Sequence, residues 1–482
     1  MAKLRSVPIT TRLFLLAFVL RLVPVLFSID LPIGLTDMFQ YDMLARSILS
    51  GNGYRWYAQP DLELLRHEYP EFKFTDFDVV MKDYDARGIA TTFRAPGYPA
   101  FLALVYGLTG LQWRIFAARF ANAVLGATLA PMSYVLTRRL FPEKEGAARF
   151  AGAALAIYPL LVIFPLAIAT ENLFIPLTLA GLLTLLRAAQ SGRGRDYLLA
   201  GAILGAAALT RSVIFLFAGL AVFWIWFAAR HRRGALLYLL ALLVLVVPWS
   251  VRNSLVEGRF TFVENSLGYN LHMGYHPQGT GTFQYGISLE LVPYLDDGVR
   301  NELGTQAGLQ FIREDPGRVP YLMLRKLGYF FGLERRAVTY FYSNNFFGHI
   351  PSLPLLGLFL LFNLPFTFLC TLAVIPLPFI RFNSQRVLLL LLFGSYLLPH
   401  ILIMAEERFH LAILPGLAAL AGYAWTMRAE LWAAAKANRV KLILALILVG
   451  LLWLNWGMEL WRDAEKLAIL FGPDGNHAGF PY

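Results

Sequence analysis

Long apolar runs alternate with short charged connections along most of this chain. A helix needs about 20 apolar residues to cross the hydrocarbon core, with about 17–25 tolerated. Eleven runs fit or approach that length: 13–29, 114–137, 148–164, 170–187, 197–210, 213–229, 235–250, 353–379, 387–404, 409–427 and 440–458. Several are short, which implies broken or partly buried spans. Residues 97–110 are also apolar, but counting them as a crossing would invert every later connection. They are predicted to form a short re-entrant or surface-lying helix, with 12 or 13 spans as the alternative. Two long mixed stretches, 30–96 and about 251–352, interrupt the apolar pattern and contain the turn signals Gly51-Asn52-Gly53 and Asp296-Asp297-Gly298. The predicted fold class is an all-α polytopic membrane bundle of about eleven helices, with surface-lying helices on two external loops. Its parts are a transmembrane module 1–250 that includes the first loop, a second external loop 251–352, and C-terminal helices with an outside tail, 353–482.

Composition supports this. Hydrophobic residues make up 57% of the 482 and charged residues 15%, with a mean hydropathy of +0.56; soluble domains have about 45–50% and about 25%. A disordered chain, a polar solenoid and an ordinary cytosolic enzyme are excluded. The net charge of +11 is chiefly a topology signal. With the N-terminus inside, the short cytoplasmic segments hold nineteen Lys and Arg against four acids, Glu143, Glu145, Asp196 and Glu430. The first long stretch holds 7 basic and 11 acidic residues, the second nine of each. Long loops translocate largely regardless of charge, so they leave the orientation unchanged. Lys3, Arg5 and Arg12 before the first run, with no small-residue cleavage site after it, predict an uncleaved first span. Cys370 is the single cysteine, which leaves no disulfide or cysteine-based metal site. No internal repeat is visible, which weakens a transporter reading.

The ionisable residues near the spans gather at their outer ends: Asp37 and Asp42 after the first span, Arg94, Glu171, Arg211, Arg252 with Asn253, and Glu406-Glu407-Arg408. Intramembrane and near-membrane charges are expensive and point to function. Carboxylates and guanidinium forks on one face suit a phosphorylated headgroup; the plainer alternative is snorkelling or interfacial ion pairs. Tyr41, Leu44, Ala45 and Ile48 recur at helical spacing after Asp37, predicting a surface helix that Thr36 or Asp37 caps. Asp76-Phe77-Asp78 has the form of a metal-binding Asp-x-Asp motif, repeated at Asp83-Tyr84-Asp85, and makes Asp76 and Asp78 weak metal candidates. His272 and His276 stand four apart, but Gly274 and Pro277 predict a loop, so a helical zinc pair is not expected. No phosphate-binding glycine loop opens a helix.

These pieces in this order resemble a known group. Asp37 just after the first span, with Tyr41 four later and Ala45 eight later, resembles the start of the first external loop in GT-C glycosyltransferases. The nearest are the protein O-mannosyltransferase-like and aminoarabinose-transferase-like families. Phe93-Arg94-Ala95-Pro96-Gly97-Tyr98-Pro99, Arg119 with Asn122, Tyr158-Pro159 with Glu171, Leu209-Thr210-Arg211, Pro248-Trp249-Ser250-Val251-Arg252-Asn253, Asn270-Leu271-x-x-Gly274 and Glu407-Arg408-Phe409 with Pro415 also match. One departure is Met38, where relatives often carry Glu after the Asp; Asp42 is the nearest second acid.

The resemblance implies a sugar donor on undecaprenyl or dolichyl phosphate and an acceptor hydroxyl on a protein, lipid or polysaccharide. It further implies an external active site in a bacterial or archaeal plasma membrane, with no nucleic acid as partner. Asp37 is expected to be the general base of an inverting displacement, and Arg94, Arg252 and Arg408 to hold the donor phosphate. Tyr41, Asp42, Glu171, Asn253 and Glu407 are expected to support them. No cofactor is required, though the chemistry admits a divalent metal. A lipid-linked glycan ligase and a flippase or exporter are the alternative functions.

Overall fold

A computed structural model describes residues 7–34, 37–68, 85–291, 293–338 and 350–472. The expected Asp76 and Asp78 motif, Asp83 and Thr36 lie outside the described residues. Apart from one two-stranded antiparallel pairing, Arg55–Trp56 with Ile89–Ala90, the described ordered elements are helical. Seven helices are long and apolar enough to cross a membrane: Ile9–Phe27, Leu111–Leu140, Glu171–Ser191, Arg232–Glu257, Ser352–Val374, Ser384–Leu402 and Arg439–Arg462. An eighth span results if the bent pair Glu145–Ile157 and Pro159–Leu166 counts as one. The other apolar runs also form helices, but shorter ones: Gly194–Thr210, Ser212–Ala228 and Leu414–Thr426. The protein is therefore an integral membrane protein of nearly all-α architecture, without support for a count of eleven full spans.

Sequence explains where the bundle departs from straight rods. Pro159 has no N–H to continue a helix, and the pair is bent by 50° at that point. The break leaves carbonyls of the preceding turn without helical partners. Arg21, fully buried in the first span, donates to Leu155 O at 2.9 Å and Ala156 O at 3.0 Å, and to Ala17 O at 3.1 Å. Its charge thus sits against the negative end of a helix. Gly97–Thr109 has 13 residues, about 20 Å at 1.5 Å per residue, short of the roughly 30 Å core; the short non-crossing helix expected over 97–110 matches this length.

The segment after the first span folds back over the bundle. Helix Asp37–Leu49 is amphipathic in two directions. Phe39, Met43 and Leu44 join Trp56, Leu62 and Phe93 in an outer apolar cluster, while Tyr41 and Ala45 pack on Tyr98, Leu102 and Tyr106 of Gly97–Thr109. Asp296-Asp297-Gly298, expected as a turn, instead starts helix Asp297–Glu314: Asp296 is its N-cap and accepts from Val299 N. Asp297 then reaches across some two hundred residues. It accepts from the Thr91 hydroxyl at 2.5 Å and from the backbone N–H groups of Thr92 at 2.7 Å and Phe93 at 3.1 Å. This buried carboxylate fixes the strand end that delivers Arg94.

Candidate active site

Asp37 opens its helix, where the positive end of the helix dipole favours a carboxylate. Arg94 Nη2 lies 2.5 Å from Asp37 Oδ1, and Gln40 Oε1 accepts from Arg94 Nε at 2.9 Å and Nη2 at 2.7 Å. Tyr41, on the same helical face as Asp37, carries the Arg94 guanidinium 5.5 Å above its ring. On the opposite side of Asp37, Arg408 Nη2 is 3.5 Å from Oδ2. Arg408 belongs to the two-turn 3₁₀ segment Glu407–Ala412, which follows the helix Ser384–Leu402. Its Nε is 2.8 Å from Glu406 Oε2 and 3.8 Å from Glu171 Oε1.

The network continues. Glu171, first residue of its span, accepts from Arg211 Nη1 at 2.6 Å. Arg336 Nη1 is 3.2 Å from Glu406 Oε2, and Arg336 N donates to Glu407 Oε1 at 3.0 Å. Four carboxylates (Asp37, Glu171, Glu406, Glu407) thus interlock with four guanidinium groups (Arg94, Arg211, Arg336, Arg408). Side-chain exposure divides them: Asp37 is 37% and Arg408 35% exposed, but Glu171 is only 4% and Glu406 only 3%. The glutamates form a buried floor, and Asp37 with its two arginines forms the open edge. Burial by itself raises the Asp37 carboxyl pKa. The charges of Arg94 and Arg408, and their hydrogen bonds, outweigh this and bring it below the usual aspartate value.

Other expected residues point elsewhere. Asp42 is buried on another face of the helix; its Oδ1 meets Arg114 Nε at 3.0 Å and Tyr106 OH at 3.1 Å, its Oδ2 Arg46 Nε at 2.8 Å. Arg252 donates to Thr91 O at 2.6 Å and Tyr54 O at 3.1 Å, with Asn253 Oδ1 at 3.0 Å. Asn253 donates to Phe262 O and Val263 O, each at 2.9 Å. These groups hold the loops that frame Arg94, and their contacts do not include Asp37. Sequence reasoning overlooked Gln40 and Arg336. Gln40 sits one residue short of a helical turn from Asp37 and could have been sought there. Arg336 gave no signal among nine basic residues of its loop.

The loop expected around His272 and His276 is a correction: Leu267–Tyr275 is helical and His276 ends it. Gly274 permits this, because a Cβ there would run into the backbone of Ile403. His272 Nε2 lies 3.0 Å and His276 Nε2 3.4 Å from the two oxygens of Glu290, and the donor atoms of all three lie within 4.8 Å of one another. Two imidazoles and a carboxylate form a donor set suited to zinc, with a position left for water or substrate. A separate apolar groove of about 610 Å³ runs between Gly97–Thr109 and the next span, lined by Val105, Leu108, Trp113, Phe116 and Phe120 among others.

Comparison with known proteins agrees with the motif resemblance. Residues 94–251 match the family model described as dolichyl-phosphate-mannose-protein mannosyltransferase, and the chain is similar to GT-C glycosyltransferases. Among solved structures it is similar to the Archaeoglobus fulgidus oligosaccharyltransferase tethered to an acceptor peptide, at 14% identity and a TM-score of 0.46, over 96% of this chain and 58% of that one. It is also similar to ArnT from Cupriavidus metallidurans bound to undecaprenyl phosphate, at 17% identity and a TM-score of 0.39, over 86% and 77%. This chain spans less than two thirds of the oligosaccharyltransferase. No curated protein sequence matches it.

Proposed function

We propose that this protein is a membrane glycosyltransferase that moves a sugar from a polyprenyl-phosphate carrier to an acceptor hydroxyl on the outer face, with inversion. The observation that carries the reading is Asp37 held between Arg94 at 2.5 Å and Arg408 at 3.5 Å on the open edge of an otherwise buried ion network. The acceptor oxygen attacks the anomeric carbon while its proton passes to Asp37. The bond from that carbon to the phosphate oxygen breaks, and polyprenyl phosphate leaves with the electron pair. The phosphate goes from one negative charge to two, so guanidinium groups beside it bind the transition state better than the ground state. With no donor bound, Arg94 and Arg408 hold Asp37 as a weak base. A donor phosphate competing for the same forks would release the carboxylate and restore its basicity when the proton has to move. The apolar groove, about 20 Å along Gly97–Thr109 from Arg94, is assigned to the polyprenyl tail. His272, His276 and Glu290 would hold a divalent cation, which would supply Lewis acidity there.

The test is transfer by purified protein in nanodiscs, using a panel of polyprenyl-phosphate sugars and candidate acceptors, with products read by mass spectrometry. General-base help is worth about 10²–10⁴-fold. Asp37→Asn should lose about that much turnover and keep its melting temperature within a few degrees. Near-normal transfer by Asp37→Asn would sink the assignment.

A further inference from the structure

Two arginines of the network are carried by short connections. Arg336 follows the loop 331–335, and Arg408 lies in the turn Glu407–Ala412. Each connection also sends one ionisable side chain inward, two residues from its arginine: Glu334 from the first and His410 from the second. Both are fully buried. His410 Nε2 lies 2.9 Å from Glu334 Oε1, which also accepts from the Tyr158 hydroxyl at 2.6 Å. His410 Nδ1 lies 3.0 Å from Phe330 O, and Phe366 stacks on the imidazole with ring centroids 3.9 Å apart.

Hydrogen counting fixes the protonation of this group. Phe330 O can only accept, so Nδ1 carries a proton. A neutral imidazole would then present a lone pair at Nε2 to an unprotonated carboxylate oxygen 2.9 Å away, lone pair against lone pair. One proton must therefore lie between Nε2 and Oε1, as imidazolium with carboxylate or as imidazole with carboxylic acid. Both forms are neutral as a pair, which fits a site closed to solvent. Tyr158 comes from the bend at Pro159, so the group joins the broken span, both arginine-bearing connections and, through Phe366, the helix Ser352–Val374. Its other ionisable neighbours are Cys370 and Glu407.

We propose that Tyr158, Glu334 and His410 form a proton-bridged latch that positions Arg408 against Asp37 and Arg336 against Glu406. None of the three reaches the open edge, so they are positioning residues, and the role rests on the functional reading above. Removing the bridging proton, or replacing the carboxylate with an amide, would free the turn Glu407–Ala412 to shift. The effect would appear at Arg408, not as general unfolding, because Phe366 and the surrounding apolar side chains still fill the space.

Two measurements on the full chain in nanodiscs judge this. The first is the cryo-electron microscopy structure of Glu334→Gln beside wild type. The latch requires Arg408 Nη2 to leave Asp37 in the variant; an unmoved Arg408 overturns it. The second is kinetics with undecaprenyl-phosphate sugar as donor. Glu334→Gln and His410→Gln should lose at least about tenfold in kcat with the donor KM changed less than threefold, and Tyr158→Phe about two- to threefold in kcat. Glu334→Gln combined with Arg408→Lys should be no worse than Arg408→Lys alone. Multiplicative losses in that double variant, or a folded Glu334→Gln with kcat within twofold of wild type, overturn the proposal. If wild type transfers no sugar at all, the functional reading fails, and the structural comparison alone decides the latch.

Discussion

At the scale of single residues, carboxylates on one short helix do two different jobs. Asp37 and Asp42 lie five apart, which on a helix turns them about 140° away from each other. Asp37 faces the open edge, whereas Asp42 is buried against Arg46, Arg114 and Tyr106. The departure at Met38 is therefore not repaired by Asp42; the further acids around Asp37 are Glu171 and Glu406, from distant parts of the chain. Asp42→Asn should lower stability by about 1–3 kcal/mol, because the half-buried Arg46 and Arg114 lose their counter-charge. Catalysis per folded molecule should stay within a few-fold; thermal melts and turnover corrected for folded fraction would separate the two. Asp37 behaves differently with pH. Its pKa in the folded protein is depressed, so its ion-pair stabilisation is present above the unfolded value of about 3.9 and is lost as pH falls through the lower folded value. The acid limb of kcat/KM, which reports the free enzyme, should accordingly lie below about pH 4. The limb in kcat, where donor phosphate has taken the arginines, should lie higher. A kcat/KM limb near 6 would contradict the geometry.

Among elements, apolar periodicity gave the helices and implied broken spans without showing where or why they break. Every apolar run holds a helix, and the helix that starts at Asp37 follows the expected spacing. Tyr158-Pro159 was visible as a motif, but that it bends a span and that Arg21 donates to the carbonyls of Leu155 and Ala156 depends on two helices meeting. The same holds for Arg252 and Asn253. Their residue types suit a headgroup, yet tertiary structure surrounds them with backbone carbonyls. Asp37, Arg94, Glu171, Glu407 and Arg408 do converge, because all sit at helix ends on one face, which the topology argument could register. Gly274 shows the element scale most directly. Ala there would press a methyl into the backbone of Ile403, five residues before Arg408. Gly274→Ala should cost about 1–3 kcal/mol, measurable as a lower melting temperature.

For the whole molecule, the charge asymmetry and the placement of the ion network make one topological statement. The connections rich in Arg are assigned to the inner end of the bundle, and the interlocked carboxylates and guanidinium groups to the outer end. The single buried Cys370 makes this checkable. In a Cys370→Ser background, cysteines at Arg87 and Arg259, both exposed, should react with a membrane-impermeant maleimide added outside intact cells. One at the exposed Arg149 should react only after lysis. Labelling of Arg149→Cys in intact cells would invert the assignment.

The balance of four acids with four arginines has a consequence for how a donor finds the site. A set of charges that sums to zero has no long reach through salt water, where fields already fade within about 10 Å at 0.1 M. It cannot draw a phosphate in from a distance as a cationic funnel does. For the polyprenyl-phosphate donor proposed above, capture must begin with the lipid itself, diffusing in two dimensions within the leaflet until its tail meets the protein. Recognition of the headgroup then becomes an exchange of partners at contact distance, with Asp37 giving up its arginines as the phosphate takes them.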